Sequence, residues 1–175
     1  MDKDKLIQDL IKENKAYVKK QKNLKKHIKG QYPKICVLTC ADSRVIPEFI
    51  FNKSIGELFV IRVAGNVALG RSVITSIEYA VTHLDVNLII ILGHSYCGAI
   101  KAAEQCDSNC GELLDEIKKS FTISKDHVFS NLKRQLELLP TRSKVISNAI
   151  KNNKIQLVGA IYNLETGMVE FLDFN

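Results

Sequence analysis

Short apolar segments that alternate with helical segments place the tightest limit on how this chain can fold. The apolar segments are residues 35–39, 58–63, 86–92 and 155–162. Helical spacing of apolar residues is found over residues 45–51, 72–83, 97–104 and 125–151. Pro140 should interrupt the last of these helices. Because strands that alternate with helices form parallel βαβ units, we predict an α/β fold with a mainly parallel, doubly wound sheet in the strand order 2-1-3-4, flanked by helices.

A tight turn near the end of the chain adds one more strand. Glu165-Thr166-Gly167 contains turn-forming residues and leads into the apolar segment 168–172. So short a connection joins antiparallel neighbours. We therefore expect an antiparallel edge strand beside the fourth strand.

Residues 1–34 are predicted to form a helical arm outside the sheet. Four apolar residues of the arm recur at helical spacing: Leu6, Ile7, Leu10 and Ile11. They predict an amphipathic helix over residues 3–20, which needs an apolar partner. A lysine-rich link follows over residues 21–34, and residues 35–175 are expected to form a single α/β domain.

The arm is strongly basic. It carries eleven lysines against four acidic residues, whereas the whole chain has a formal charge of +6. A basic arm could bind nucleic acid or an anionic membrane. However, it has no arginine and only one aromatic residue before Tyr32, so stacking and bidentate phosphate contacts are poorly supplied. We therefore expect a solvated helix face, with no nucleic-acid partner and no membrane partner.

The cellular location is predicted from two features of the sequence. No apolar run reaches the length of a membrane span, and the longest covers Leu88 to Leu92. The sequence begins Met-Asp-Lys-Asp-Lys, without the apolar region of a secretory signal. Together these features predict a cytoplasmic protein.

Five cysteines need an explanation in such a protein. An odd number of cysteines in a chain without a secretory signal argues against a disulfide framework. We expect Cys106 and Cys110 to be inert thiols, because no further cysteine or histidine follows closely enough to complete a metal site with them. Cys36 precedes Cys40 by four residues in the same strand, about 13 Å at about 3.3 Å per residue, so the two cannot share a metal ion.

Cys40, His94 and Cys97 together form a ligand set of two thiolates and one imidazole. Cys40 directly follows the first strand, and His94 and Cys97 follow the third. Sites in open α/β sheets form beyond the carboxyl ends of strands, where the strand order reverses, so the three side chains should converge. Each could alone be a core residue, but the combination predicts a zinc site. Three protein ligands leave one position open, as in catalytic zinc sites.

Charged and polar residues adjoin the predicted ligands. Asp42 and Arg44 could form an ordinary surface ion pair, which contributes little to stability. Their position beside Cys40 favours a functional role, in which Arg44 keeps Asp42 ionised and oriented. Asp42 would then either accept a hydrogen bond from a zinc-bound hydroxide or take the fourth position on the zinc ion itself. Arg62 and Asn66, at the end of the second strand, could equally support the loop or contact a substrate.

Three motifs in this sequence resemble the β-class carbonic anhydrases. They are Cys40-x-Asp42-Ser43-Arg44, Arg62-x-x-x-Asn66 and Gly93-His94-x-x-Cys97-Gly98. The similarity extends from about Leu6 to Leu172. The resemblance implies one zinc ion per subunit, bound by the two cysteines and the histidine of these motifs, and a catalytic dyad formed by Asp42 and Arg44.

The resemblance also implies substrate contacts at five further positions. They are Gln31, Phe59, Ala64, Tyr79 and Gly98. Phe59 and Tyr79 would line a small apolar CO2 pocket, whose wall would be looser at Ala64 because some members carry valine there. The backbone at Gly98 would approach the substrate. Gln31 would reach the site of a neighbouring subunit and hydrogen-bond bicarbonate.

One departure from the family pattern is informative. Members with a bicarbonate-inhibited form, in which the aspartate closes the zinc site, carry tryptophan three residues before the first cysteine. Here that residue is Val37, and the chain has no tryptophan. We therefore expect the open form, with water on the zinc ion.

These motifs predict reversible, zinc-dependent hydration of CO2 to bicarbonate and a proton. A zinc-bound hydroxide would be the nucleophile, oriented by the Asp42–Arg44 dyad. Two alternatives stay open, namely a related zinc hydrolase acting on carbonyl sulfide or carbon disulfide, and a protein in which zinc only stabilises the fold. The arm helix and Gln31 predict a homodimer, with a dimer of dimers as the alternative.

Overall fold

The computed structural model describes residues 3–21 and 24–172, which divide after Gln31 into two units. The amino-terminal unit contains helix α1 (Lys3–Lys20) and a 3-10 helix (Leu24–Lys29). α1 confirms the predicted arm helix, and its acidic first turn and basic last turn suit the helix dipole. None of its side chains is buried, and Leu10 is 70% exposed.

The second unit contains a five-stranded sheet in the order β2-β1-β3-β4-β5. The strands are β1 (Ile35–Thr39), β2 (Leu58–Arg62), β3 (Leu88–His94), β4 (Gln156–Tyr162) and β5 (Val169–Leu172). The first four pair in parallel, and β5 pairs antiparallel with β4. The predicted fold class and strand order are confirmed, including the antiparallel edge.

The strand order reverses between β1 and β3. Thr39, the last residue of β1, pairs with Arg62 of β2 on one side and with Leu92 of β3 on the other. β3 then continues for two residues, and His94 pairs with Tyr162 of β4. His94 is therefore the last residue of β3 rather than the first of the following loop, because the pairing with β4 extends the strand.

Helices cover both faces of the sheet. They are α2 (Pro47–Ile50), α3 (Arg71–His83), α4 (Gly98–Gln105), α5 (Glu112–Lys118), α6 (His127–Arg142) and α7 (Lys144–Lys151). One face packs Leu38 and Ile91 against α3, α6 and α7, while Val37 and Ile90 belong to a second cluster on the other face, which includes Ile50 of α2. A third cluster, with residues from α4 and α5, lies under the carboxyl edge of the sheet.

The helical region near residue 140 differs from the prediction. Pro140 lies inside α6, and the helix ends two residues later, at Arg142. Ser143 adopts an extended conformation there, and its Oγ accepts a hydrogen bond from the Ile146 N–H, which caps α7. α5 and the 3-10 helix of the arm were not predicted. Among the residues that the structure describes, no helix is both long and apolar enough to cross a membrane.

The prediction of inert thiols at Cys106 and Cys110 is wrong. The two residues form a disulfide with their Cα atoms 5.9 Å apart. α4 ends at Gln105, and the left-handed Asn109 turns the chain back before α5, so two cysteines only four residues apart meet. Cys36, Cys40 and Cys97 are free and buried.

Candidate metal centre

The three predicted ligands meet at the carboxyl edge of the sheet. One ligand atom from each of Cys40, His94 and Cys97 lies within 4.8 Å of the other two, and all three residues are buried. The two sulfurs are 3.9 Å apart. Two zinc–sulfur bonds of about 2.3 Å in tetrahedral geometry separate their sulfurs by about 3.8 Å. The cluster therefore fits a zinc ion in spacing and in donor type.

The hydrogen bonding of His94 leaves one ring nitrogen for a metal. Nδ1 lies 2.9 Å from the Ser95 carbonyl oxygen. Because a carbonyl can only accept, Nδ1 donates, and the lone pair is on Nε2. Nε2 is buried and has no hydrogen-bond partner among the described residues. A ligating histidine is commonly fixed in this way, by a backbone acceptor on its other nitrogen.

The two sulfurs share one hydrogen bond, which favours a single thiolate in the pair. The Cys97 hydrogen bond lowers the pKa of Cys40, and this lowering outweighs the effect of burial. The same bond, together with burial, raises the pKa of Cys97. The backbone N–H of Gly65 also donates to Cys40 Sγ, at 3.3 Å. The pair therefore retains one proton, and Cys40 carries the negative charge.

Asp42 and Arg44 form a bidentate pair beside these ligands. Arg44 Nε donates to Oδ1 at 2.9 Å and Nη2 donates to Oδ2 at 2.7 Å. The Arg44 side chain, with its backbone N–H, holds the pKa of the Asp42 carboxyl well below its usual range. Oδ2 also lies 3.9 Å from His94 Nε2. Only 14% of the Asp42 side chain is exposed, so this is not an ordinary solvated surface pair.

Arg62 supports the loop that carries Cys40 and Asp42. Its Nε donates to the Cys40 carbonyl at 3.4 Å, and its Nη2 donates to the Asp42 carbonyl at 2.6 Å. Of the two roles considered for Arg62, the contacts favour loop support. Asn66 is buried and left-handed, with φ of 47°.

Phe59 and Tyr79 contact each other, away from the metal ligands of their own chain. Phe59 pairs with Cys36, three positions before the end of β1, or about 10 Å along the strand. Its ring centroid is 6.1 Å from that of Tyr79. Tyr79 in turn stacks on His83 and is 46% exposed. The two residues thus form an aromatic pair between β2 and α3.

The other three predicted substrate positions lie in different parts of the structure. Ala64 begins a short 3-10 helix and immediately precedes Gly65, which contacts the Cys40 sulfur. Gly98 is the first residue of α4. Apart from its chain neighbours and its own helix backbone, no atom of the described residues lies within 4 Å of the place that a Cβ would occupy. This open space would let a small molecule approach the backbone. Gln31 belongs to the amino-terminal unit.

Sequence analysis missed several polar residues that support the site. The Asn131 side chain donates to the Gly65 carbonyl at 2.7 Å, and Gln135 accepts from the Ala68 N–H at 2.9 Å. Both are fully buried on α6. Two polar residues four positions apart on a buried helix face were the signal that could have identified them. Glu165, whose contact with Tyr96 is described below, gave no such signal.

Comparisons with known proteins agree with this site. Residues 35–169 match the family model described as carbonic anhydrase. Carbonic anhydrase 2 of Mycobacterium tuberculosis is 33% identical over 159 residues, covering 82% of this chain and 76% of the relative. A carbonic anhydrase of Pseudomonas aeruginosa is 32% identical over 182 residues, covering 90% of this chain and 81% of the relative.

A solved structure supports the same assignment at the level of the fold. One of two tetrameric β-carbonic anhydrases from the filamentous ascomycete Sordaria macrospora aligns with a TM-score of 0.82 and 24% identity, over 96% of this chain and 97% of that one. With the family match over most of the chain and the Cys-His-Cys cluster at the sheet edge, we conclude that this chain is an enzyme of the β-carbonic anhydrase family.

Proposed function

We propose that the enzyme catalyses the reversible hydration of CO2 to bicarbonate and a proton, on a zinc ion held by Cys40, His94 and Cys97. The observation that carries this proposal is the position of the Asp42 carboxylate. It is bound on both oxygens by Arg44, yet Oδ2 lies 3.9 Å from Nε2 of His94. A purely structural zinc site has no need of an ionised carboxylate held at this distance.

The metal and the protein have separate tasks in this proposal. When bound, zinc supplies a positive charge and lowers the pKa of a coordinated water to about 7. Asp42, kept ionised by Arg44, accepts a hydrogen bond from the reacting oxygen and so fixes the direction of its lone pair. Because the Arg44 pair lowers the pKa of Asp42, the carboxylate remains an acceptor across the physiological range.

The orientation of the dyad depends on neighbouring backbone groups. The Arg44 N–H donates to Asp42 Oδ1 at 3.0 Å, so the carboxylate is held by its own loop as well as by the guanidinium. Arg62 holds two carbonyls of the same loop. An acceptor fixed in this way needs little rearrangement during the reaction.

A second subunit would complete the substrate pocket. Phe59 and Tyr79 form an aromatic pair that lies about 10 Å along the sheet from the end of β1. We propose that this pair lines the apolar CO2 pocket of a partner's site, that Ala64 lines the pocket beside Cys40 of its own chain, and that Gln31 reaches a partner's site to bind bicarbonate. Exposed apolar side chains on α1 supply a surface for such a homodimer. Sedimentation showing a fully active monomer would contradict this arrangement.

Stopped-flow CO2 hydration by protein of measured zinc content tests the reaction. We expect about one zinc ion per chain and activity proportional to it, and a Cys40→Ser variant should lose both. Zinc-loaded protein without hydration activity at about pH 8 to 9 would contradict the proposal and favour a structural metal. Faster turnover of carbonyl sulfide or carbon disulfide than of CO2 would instead identify the related hydrolase.

A further inference from the structure

The geometry points to Glu165 as a positioning residue for the loop that carries His94 and Cys97. Glu165 lies in the turn between β4 and β5, and its Oε1 accepts a hydrogen bond of 2.6 Å from the Tyr96 hydroxyl. Tyr96 stands between the two ligands in sequence. The inference rests on the zinc site of the proposed function and assigns a role to residues outside that site.

The backbone of Tyr96 is strained and needs support. Its φ is 56°, in the left-handed region that bulky residues without a stabilising environment rarely adopt. This conformation reverses the chain within three residues, between His94 at the end of β3 and Cys97 at the start of α4. A loop that relaxed toward ordinary backbone angles would separate the two ligands.

The end of β4 and the turn that follows it hold this strained loop at three points. The Ser95 N–H donates to the Tyr162 carbonyl at 2.9 Å, and the Leu164 N–H donates to Ser95 Oγ at 2.9 Å. The third point is the hydrogen bond between Tyr96 and Glu165. Since this bond is short and its acceptor is a carboxylate, it belongs to the stronger class of hydrogen bonds.

Glu165 is itself held in place by the turn. Asn163 Oδ1 accepts from the Glu165 N–H at 2.8 Å and from the Thr166 N–H at 3.2 Å. The Gly167 N–H donates to the Asn163 carbonyl at 2.9 Å. Tyr96 is 65% exposed, but it is anchored to an ordered turn rather than to a free side chain.

Tyr96 also connects the ligand loop to the dyad. Its carbonyl accepts a hydrogen bond of 3.3 Å from Arg44 Nη2, the same nitrogen that donates to Asp42 Oδ2. The left-handed conformation of Tyr96 determines where that carbonyl points. Glu165 thus acts on both parts of the site through one residue.

The test measures how fast zinc leaves the intact protein for a chromogenic chelator. Mutation of a residue that orients a metal ligand typically lowers metal affinity by about 10- to 100-fold. Glu165 acts through Tyr96 rather than on a ligand directly, so Glu165→Ala should have a smaller effect and release zinc about threefold to tenfold faster than the native protein. Glu165→Gln, which keeps an acceptor, should restore most of the native rate. The control is Glu170→Ala on β5. The Glu170 side chain is exposed and, within residues 3–21 and 24–172, makes no hydrogen bond or ion pair, although its backbone pairs with Ile161 of β4.

A double-mutant cycle with Tyr96→Phe separates this contact from a general loss of negative charge. If the hydrogen bond is responsible, the single variants and the double variant should all release zinc at the same rate. Additive effects, or equal rates for Glu165→Ala and Glu170→Ala, would overturn the inference. Zinc release does not depend on CO2 hydration, so this test stays valid even if the protein does not hydrate CO2. An unchanged release rate in an active enzyme would refute the role of Glu165 and leave the proposed function intact.

Discussion

The Arg44 guanidinium binds both carboxylate oxygens of Asp42, while one of those oxygens remains 3.9 Å from His94 Nε2. The carboxylate is thus fixed by a neighbour two residues away and still faces the Cys-His-Cys cluster. Arg44 has a third contact, to the Tyr96 carbonyl. The Asp42–Arg44 pair is therefore held between the loop that follows Cys40 and the loop between His94 and Cys97.

Replacing Asp42 by Asn should separate metal binding from catalysis. The amide has the same shape but is neutral, so it accepts a hydrogen bond more weakly and loses its ion pair with Arg44. We expect kcat/KM for CO2 hydration to fall by about 100-fold or more, in the range of general acid–base effects, with one zinc ion retained. Stopped-flow hydration measures kcat/KM, and elemental analysis of the same preparation measures the zinc content. Native activity in Asp42→Asn would remove the carboxylate from the mechanism.

Arg62 should affect the reaction through the loop it holds. Arg62→Met keeps the length of the side chain but loses the hydrogen bonds to the Cys40 and Asp42 carbonyls. Because small displacements of catalytic groups are costly, we expect kcat/KM to fall by about tenfold while zinc content stays native. Arg62→Lys keeps the charge but not the forked donors, so its kcat/KM should lie between those of the native enzyme and Arg62→Met. Equal activity of all three proteins would show that these bonds have no positioning role.

A side chain at Gly65 should destabilise the fold. It has φ of 68°, and a Cβ there would lie 2.6 Å from Ile117 Cδ1. Left-handed strain and overpacking together should lower the free energy of unfolding of Gly65→Ala by about 3 kcal/mol. Chemical denaturation at fixed protein concentration and saturating zinc measures this change.

Ile117→Val provides the matched control for Gly65. It removes the clashing Cδ1, so Gly65→Ala should destabilise the Ile117→Val protein less than the native one. The backbone cost at Gly65 is the same in both backgrounds, so the difference between the two losses measures the overpacking. Equal losses in the two backgrounds would contradict the role given to Ile117.

Zinc binding should release one proton from the sulfur pair. Hydrogen bonding lowers the pKa of Cys40 and raises that of Cys97, so at about pH 6 Cys40 is already a thiolate and Cys97 still holds its proton. Since zinc binds thiolates, affinity should rise about tenfold per pH unit near this pH as that proton becomes easier to remove. Calorimetry at about pH 6, in buffers of different ionisation enthalpy, counts the protons, because a zinc-bound water with a pKa of about 7 keeps its own proton there. Two protons released from the sulfurs would contradict the sharing of one.

The sequence was sufficient for those parts of the fold that depend on periodic patterns. Alternating strands and helices predicted the order around β1 and β3, and that order explains why Cys40 meets His94 and Cys97. Contacts between distant segments were not predictable in this way. Nothing in the residues around Glu165 indicates that the β4–β5 turn lies against Tyr96.

The errors have similar physical origins. Pro140 is tolerated within the last turn of α6, and Ser143 instead ends that helical region, because its side chain can cap α7. The odd number of cysteines and the lack of a secretory signal predict free thiols at Cys106 and Cys110. Their pairing depends instead on a local reversal of the chain at Asn109. Local geometry outweighed the compositional argument in both places.

Zinc K-edge absorption spectroscopy of the purified protein tests the central claim most directly, because it counts the atoms bound to the metal. The account predicts two sulfurs at about 2.3 Å and two lighter atoms at about 2.0 Å, one from the imidazole and one from solvent. An absence of zinc, a third or fourth sulfur, or a shell with only one lighter atom would contradict it.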